Sequence, residues 1–126
     1  MFHTIVIAGN LGKDPEMRYT PSGKAVTSFS VAVQDGWGDN KRTIWFRVSA
    51  WDKQAETCNQ YLKKGSKVLV EGRLQADENG SPRVWESNGR HGASFEISAS
   101  TVRFLSSRQD DAEPGSLADE AEYNEF

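Results

Sequence analysis

The residues with most chemistry to offer lie in Thr43-Ile44-Trp45-Phe46-Arg47-Val48-Ser49-Ala50-Trp51. In an extended chain successive side chains leave on opposite faces, so Ile44, Phe46, Val48 and Ala50 share one side and Thr43, Trp45, Arg47, Ser49 and Trp51 the other. The first side is an ordinary core stripe. The second sets a guanidinium between two indoles, where a core would not take Arg47. Flat aromatic surface beside fixed positive charge suits an unpaired nucleic acid strand, because bases stack on the rings and phosphates pair with the cations. One tryptophan in a strand is more often packing than ligand; two flanking an arginine on one face reverse that balance.

The other two tryptophans point the same way. Trp37 falls in Asp35-Gly36-Trp37-Gly38-Asp39-Asn40, a loop by its Gly, Asp and Asn content, and Trp85 in the turn-rich stretch 75–92. Trp37, Trp45, Trp51 and Trp85 are therefore the stacking candidates. Lys41 and Arg42 follow the Trp37 loop, Lys53 follows Trp51, and Arg83 stands two residues before Trp85. Surface cations usually just solvate a face, so it is this interleaving that makes them, with Arg18 and Arg47, candidate phosphate contacts. Lys63, Lys64 and Lys67 are assigned instead to a helix end, where cations suit the dipole.

Catalytic parts are missing from the sequence. His3 and His91 are far apart and lack companion cysteines, and no Gly-Lys-Ser/Thr loop or H-x-x-x-H spacing occurs. Gly9-Asn10-Leu11-Gly12 lacks the third glycine and following helix of a dinucleotide fingerprint. The expectation is a binding protein and not an enzyme, with no catalytic residue, no metal and no cofactor.

The elements that must position these residues are mostly strands. Residues 2–8 are rich in β-branched side chains and end at Gly9-Asn10-Leu11-Gly12; a short extended piece, 17–19, leads to the turn Pro21-Ser22-Gly23-Lys24. Residues 25–34 alternate, with Phe29, Val31 and Val33 inward and Ser28, Ser30 and Gln34 outward. After 43–51 the period becomes helical over 52–64, with Asp52 as cap, Ala55, Cys58, Tyr61 and Leu62 on one face, and Gly65 as terminator. Alternation returns over 67–74, with Val68, Val70 and Leu74 inward. It continues over 94–104, where the apolar parity switches between Phe95, Ile97 and Val102, Phe104 and so predicts a bulge. Five strands with one helix between the third and fourth is the order of the OB-fold, an all-β, five-stranded Greek-key barrel that takes oligonucleotides.

The net charge of −3 over 126 residues argues against a nucleic acid partner until the charges are placed. All 15 cations fall at or before Arg108 and 7 of the 18 acids follow it, so the body is +4 and the tail −7. From Ser106 onward the chain is too poor in branched apolar residues to offset its ordering entropy. The expected division is a binding domain over 1–105 and a disordered acidic tail over 106–126. No apolar run approaches membrane-spanning length and the first residues do not resemble a leader. The single Cys58 reads as a small buried hydrophobe suited to a reducing compartment, so a cytoplasmic, nucleoid-associated location is expected.

Three blocks carry a family resemblance. Ile7-Ala8-Gly9-Asn10-Leu11-Gly12-Lys13-Asp14-Pro15-Glu16-Met17-Arg18-Tyr19, then Thr43-Ile44-Trp45-Phe46-Arg47-Val48, then Tyr61-Leu62-Lys63-Lys64-Gly65-Ser66-Lys67-Val68-Leu69-Val70-Glu71-Gly72-Arg73-Leu74 resemble the bacterial single-stranded DNA-binding proteins. The likeness implies an OB-fold, usually a homotetramer, that wraps single-stranded DNA around aromatic side chains during replication, recombination and repair. Trp37, Trp45, Trp51 and Trp85 match the family's four stacking positions, Trp51 standing where Phe is common. The family's acidic tail usually ends in several Asp and Ile-Pro-Phe and recruits replication and repair proteins. Here Asp119, Glu120, Glu122, Glu125 and Phe126 would serve, with the final Phe kept and the Ile-Pro step lost. Residues 75–93 depart from the family's commonest pattern.

Two other readings fit part of the sequence. A different OB-fold binder, of primosomal or cold-shock type, would prefer RNA or a replication partner. A protein-interaction module working through Phe126 alone would leave tryptophan emission unchanged on adding oligonucleotide.

Overall fold

Valine, isoleucine, threonine and aromatic residues concentrate in the runs that become long strands, and their period-two spacing decides which face is buried. The structure, a computed structural model, describes residues 1–106. The strands are β1 (Ile5–Leu11), β2 (Glu16–Tyr19), β3 (Ala25–Asp35), β4 (Arg42–Trp51), β5 (Lys67–Leu74), β6 (Arg83–Ser87) and β7 (Arg90–Phe104), with one helix, α1 (Asp52–Tyr61), between β4 and β5. The acidic tail, its expected disorder and the residues Asp119, Glu120, Glu122, Glu125 and Phe126 lie outside the described residues.

Strand order β1-β5-β7-β4-β3, closed by a β1–β3 pairing at Asn10↔Ala32 and Leu11↔Val31, makes the expected five-stranded OB barrel. β2 extends it beside β3, and β6 pairs with β7. Closure demands a close approach: a Cβ on Gly9 would collide with the Ala32 carbonyl oxygen, so only glycine lets β1 pass from β5 to β3 there.

The barrel is filled from every wall. Val31, Val48, Val68, Val70 and Ile97 are fully buried, and Ile7, Leu11, Phe29 and Leu62 nearly so. Each such side chain contributes roughly 1.5–3 kcal/mol relative to exposure. α1 closes one end with Ala55 and Cys58, and the buried Thr27 hydroxyl donates to the Ala55 carbonyl at 2.6 Å, tying the helix to β3. Burial pushes the Cys58 thiol up to about 11, so it stays a neutral hydrophobe.

The bulge expected in the last strand is present. Pairing of β5 with β7 slips between Glu71↔Thr101 and Gly72↔Ala99, leaving Ser100 as the extra residue. This is what turns the apolar parity of β7 from odd to even.

Several local expectations need correction. The turn-rich stretch 75–92 also carries strand: β6 and the start of β7 form a hairpin through Asn88 and Gly89, both at positive φ (52° and 78°). Helix α1 ends at Tyr61, and Asp52 does not cap it; Trp51 is the cap residue, without a side-chain bond, and Asp52 itself sits at φ 57°. Tyr61 is exposed against Phe104, at a ring distance of 6.2 Å, because the helix has turned it past the core. With the helix stopping early, Lys63, Lys64 and Lys67 are not in its last turn: Lys64 N–H donates to Asp14, and Lys67 opens β5 as a buried residue. Leu74 keeps the parity of Val68 and Val70 but is exposed, since it lies past the bulge at the strand's end. No helix among the described residues is long and apolar enough to cross a membrane.

Candidate nucleic-acid interface

The outer face of β4 is where the candidates gather, and strand register shows how. Trp45 stands opposite Ala32, Arg47 opposite Ser30, Ser49 opposite Ser28 and Trp51 opposite Val26. Trp45 and Arg47 on β4 thus face small side chains on β3, and Ser49 faces another, so a trough lies beside the rings. On the other flank β7 runs parallel to β4 and brings Glu96 beside Arg47 and Ser98 beside Ser49. β2 adds Arg18 beside Val26. Trp45 and Trp51 are six residues apart, roughly 20 Å along the strand.

Three hollows join along this face through shared residues. The largest, about 520 Å³, is lined by Arg18, Arg47, Trp51, Arg83, Trp85 and Glu96, with Ser28, Ser49, Gln75 and Ser94 among the remainder. Ser28 and Arg47 also line a second hollow with Lys13 and Ser30. Lys13 and Ser30 in turn line a third, against Trp45 and Gly12. The result is a continuous path from Trp45 past Arg47 to Trp51 and Trp85.

The tryptophans on the path are half-exposed, as a stacking ring must be: 52% for Trp45, 36% for Trp51 and 48% for Trp85. Trp45 rests over Gly12, where an added Cβ would lie 2.5 Å from Cζ3 and 2.7 Å from Cη2. One side of its ring is thereby supported while the other stays open. Trp85 Nε1 donates to Ser94 Oγ at 3.4 Å.

Charge along the path is not uniform. Arg83 Nε lies 3.3 Å from Glu96 Oε2; the arginine is mostly exposed and the carboxylate mostly covered. Three guanidinium groups against one carboxylate leave the largest hollow net positive. Among the described residues no group of three or more His, Cys, Asp or Glu could hold a metal.

Of the sequence candidates, Arg18, Trp45, Arg47, Trp51, Arg83 and Trp85 come together. Trp37, the most exposed indole at 75%, precedes the short turn Gly38–Asn40, and it lines none of these hollows. Neither do Lys41, Arg42 at the far end of the β3–β4 ladder, nor Lys53 in the first turn of α1. Sequence reasoning missed Lys13, Ser28, Ser30, Gln75, Ser94 and Glu96. Ser30 was legible as part of the wet face of 25–34, whereas Ser28, expected outward on that face, is buried where it lines the hollow; what hid both is that their partner strand is known only once β3 and β4 are paired.

The sequence model of the single-strand binding protein family matches residues 2–105. A protein named single-stranded DNA-binding protein 1 from Chlorobaculum tepidum is 44% identical over 89 residues, covering 67% of this chain and 51% of that protein. A single-stranded DNA-binding protein from Neisseria meningitidis serogroup A is 36% identical over 113 residues, covering 86% of this chain and 62% of its own length. The chain therefore spans between half and about three-fifths of these curated relatives.

Proposed function

This chain belongs to the single-strand binding protein family, and from that premise we propose that it binds single-stranded DNA without reading base identity. The observation that carries the reading is the trough itself: three half-exposed indoles and three guanidinium groups follow one face of a closed barrel. Bases stack on Trp45, Trp51 and Trp85, since every base has a π-face, and Arg18, Arg47 and Arg83 take the phosphates between them. Trp37, with Lys41, Arg42 and Lys53, would extend contact to DNA leaving the trough.

Family membership supports a wider role: protection of exposed strands in replication, recombination and repair, as a homotetramer in the cytoplasm. The acidic stretch to Phe126 would recruit partner proteins, a ring beside acids suiting a basic-rimmed hydrophobic pocket.

Titrating intrinsic tryptophan emission with dT oligonucleotides of several lengths tests the reading. Strong quenching that weakens with salt is expected; unchanged emission would overturn it. Competition by poly-U stronger than that by poly-dT would move the assignment to RNA.

A further inference from the structure

In the β6–β7 hairpin an indole lies against a residue with no side chain. Trp85 pairs with Gly92 across the hairpin. A Cβ added to Gly92 would lie 2.5 Å from Cε2 of that indole and nearer still to Cζ2 and Cη2. The six-membered part of the ring therefore covers the glycine's Cα. The backbone gives no reason for glycine here: Gly92 is a strand residue outside the positive-φ region, unlike Gly89 of the same hairpin at 78°. Other residues adopt strand geometry with less conformational entropy to lose. The ring is the reason.

We propose that Gly92 is a positioning residue for DNA binding: its bare Cα seats the Trp85 indole on β7, leaving the opposite ring face for a base. The Nε1–Ser94 Oγ bond fixes the ring's direction within that plane. The seated ring borders the largest hollow together with Trp51 and Arg83. Its rotamer freedom is then lost in folding, not in binding, which is how a preorganised contact gains affinity. The same contact also serves the hairpin, as an aromatic side chain over a glycine commonly does. Stability and affinity must therefore be read separately.

This inference rests on the reading of single-stranded DNA binding, and its two tests fail separately from that reading. The first needs no DNA. In the proton NMR spectrum of the parent protein an Hα of Gly92 should be shifted well upfield by the ring current, with a cross-peak to the Trp85 benzo protons. Both should persist on saturation with dT. An unshifted Gly92 Hα, or loss of the shift on binding, overturns the proposal whether or not any variant folds.

The second is a double-mutant cycle in the full chain with a dT oligonucleotide. W85A should weaken binding by about 5- to 150-fold, the range for one lost base stack. G92A should keep a folded circular dichroism spectrum and lose most of that same factor, while W85A/G92A should bind no more weakly than W85A alone. G92A binding as tightly as the parent, or losses that multiply in the double variant, overturns the proposal. A normal ring-current shift with no binding to any oligonucleotide would instead sink the DNA reading and leave the seat for Trp85 intact.

Discussion

The β3–β4 face and the β6–β7 hairpin both present tryptophan to the same trough, but they support it differently. Trp45 and Trp51 alternate with Phe46, Val48 and Ala50, all buried, so every second residue of β4 anchors the strand that carries them. β6 is exposed along its whole length and pairs with β7 alone. In the first region a ring's position follows from the barrel core; in the second it depends on local contacts, Gly92 beneath the indole and Glu96 beside Arg83. A binding surface can thus combine a part whose buried supporting residues cannot change without unfolding and a part that can vary at little cost to the fold.

Unfolding should separate the two regions most sharply. Placing a charge at fully buried Val48 by V48D leaves it unpaired in the core and should cost more than about 4 kcal/mol, enough to remove the cooperative thermal transition. V84D, on the exposed β6, should keep the parent melting temperature within a few degrees. A stable V48D would break the comparison.

Alkaline pH should act on the barrel through Cys58. Its folded-state pKa is raised from 9.0 to about 11, so above pH 9 the unfolded chain releases a proton that the folded one retains. Stability should be intact below pH 9 and fall as pH rises toward 11, by on the order of 2–3 kcal/mol. Denaturant titrations at pH 8 and 10.5 check this, and C58A should flatten the dependence.

Binding sharpens the contrast at a smaller scale. W45A and W51A should each lose about 1–3 kcal/mol of affinity for dT oligonucleotides while remaining folded. An unfolded W51A would assign that ring, the least exposed of the three, to the barrel instead of the trough.

The smallest effect is in salt dependence. Neutralising Arg47, which lines two hollows, should reduce the log–log slope by about 0.7, whereas K53A, off the trough in α1, should reduce it less. Equal slopes for both variants would mean that the bound strand continues past Trp51 over the helix.

The same division explains what could be read from the sequence. Residues 43–51 were legible because a strand with one buried face must alternate, and alternation alone separates Trp45, Arg47 and Trp51 from the core. The barrel followed from element order, and the bulge from the parity change in β7. Strand β6 was not legible by that rule, since with both faces exposed nothing forces Arg83–Ser87 to alternate. The usable signal was Asn88-Gly89, whose positive φ values suit a tight hairpin turn. Glu96 could not be foreseen as part of the trough, because its neighbour Arg47 lies on a parallel strand 49 residues earlier. Asp52 shows another limit: the helix start was readable, but the side chain expected to cap it sits on a left-handed residue.

The route by which the barrel closes also sets a timetable for its making. Ile5 of β1 finds its ladder partner in Gly72 of β5, 67 residues later, and β4 meets β7 only when the last strand exists. Topologies so rich in distant pairings fold slowly for their size, in the millisecond-to-second range. On a ribosome adding roughly 5–20 residues per second, β1 would wait about 3–13 s for that partner to be synthesised. During that interval its main-chain donors and acceptors are open to any passing strand. The short contact of Asn10 and Leu11 with β3 becomes available much sooner, and it gives the nascent edge a native partner before β5 exists.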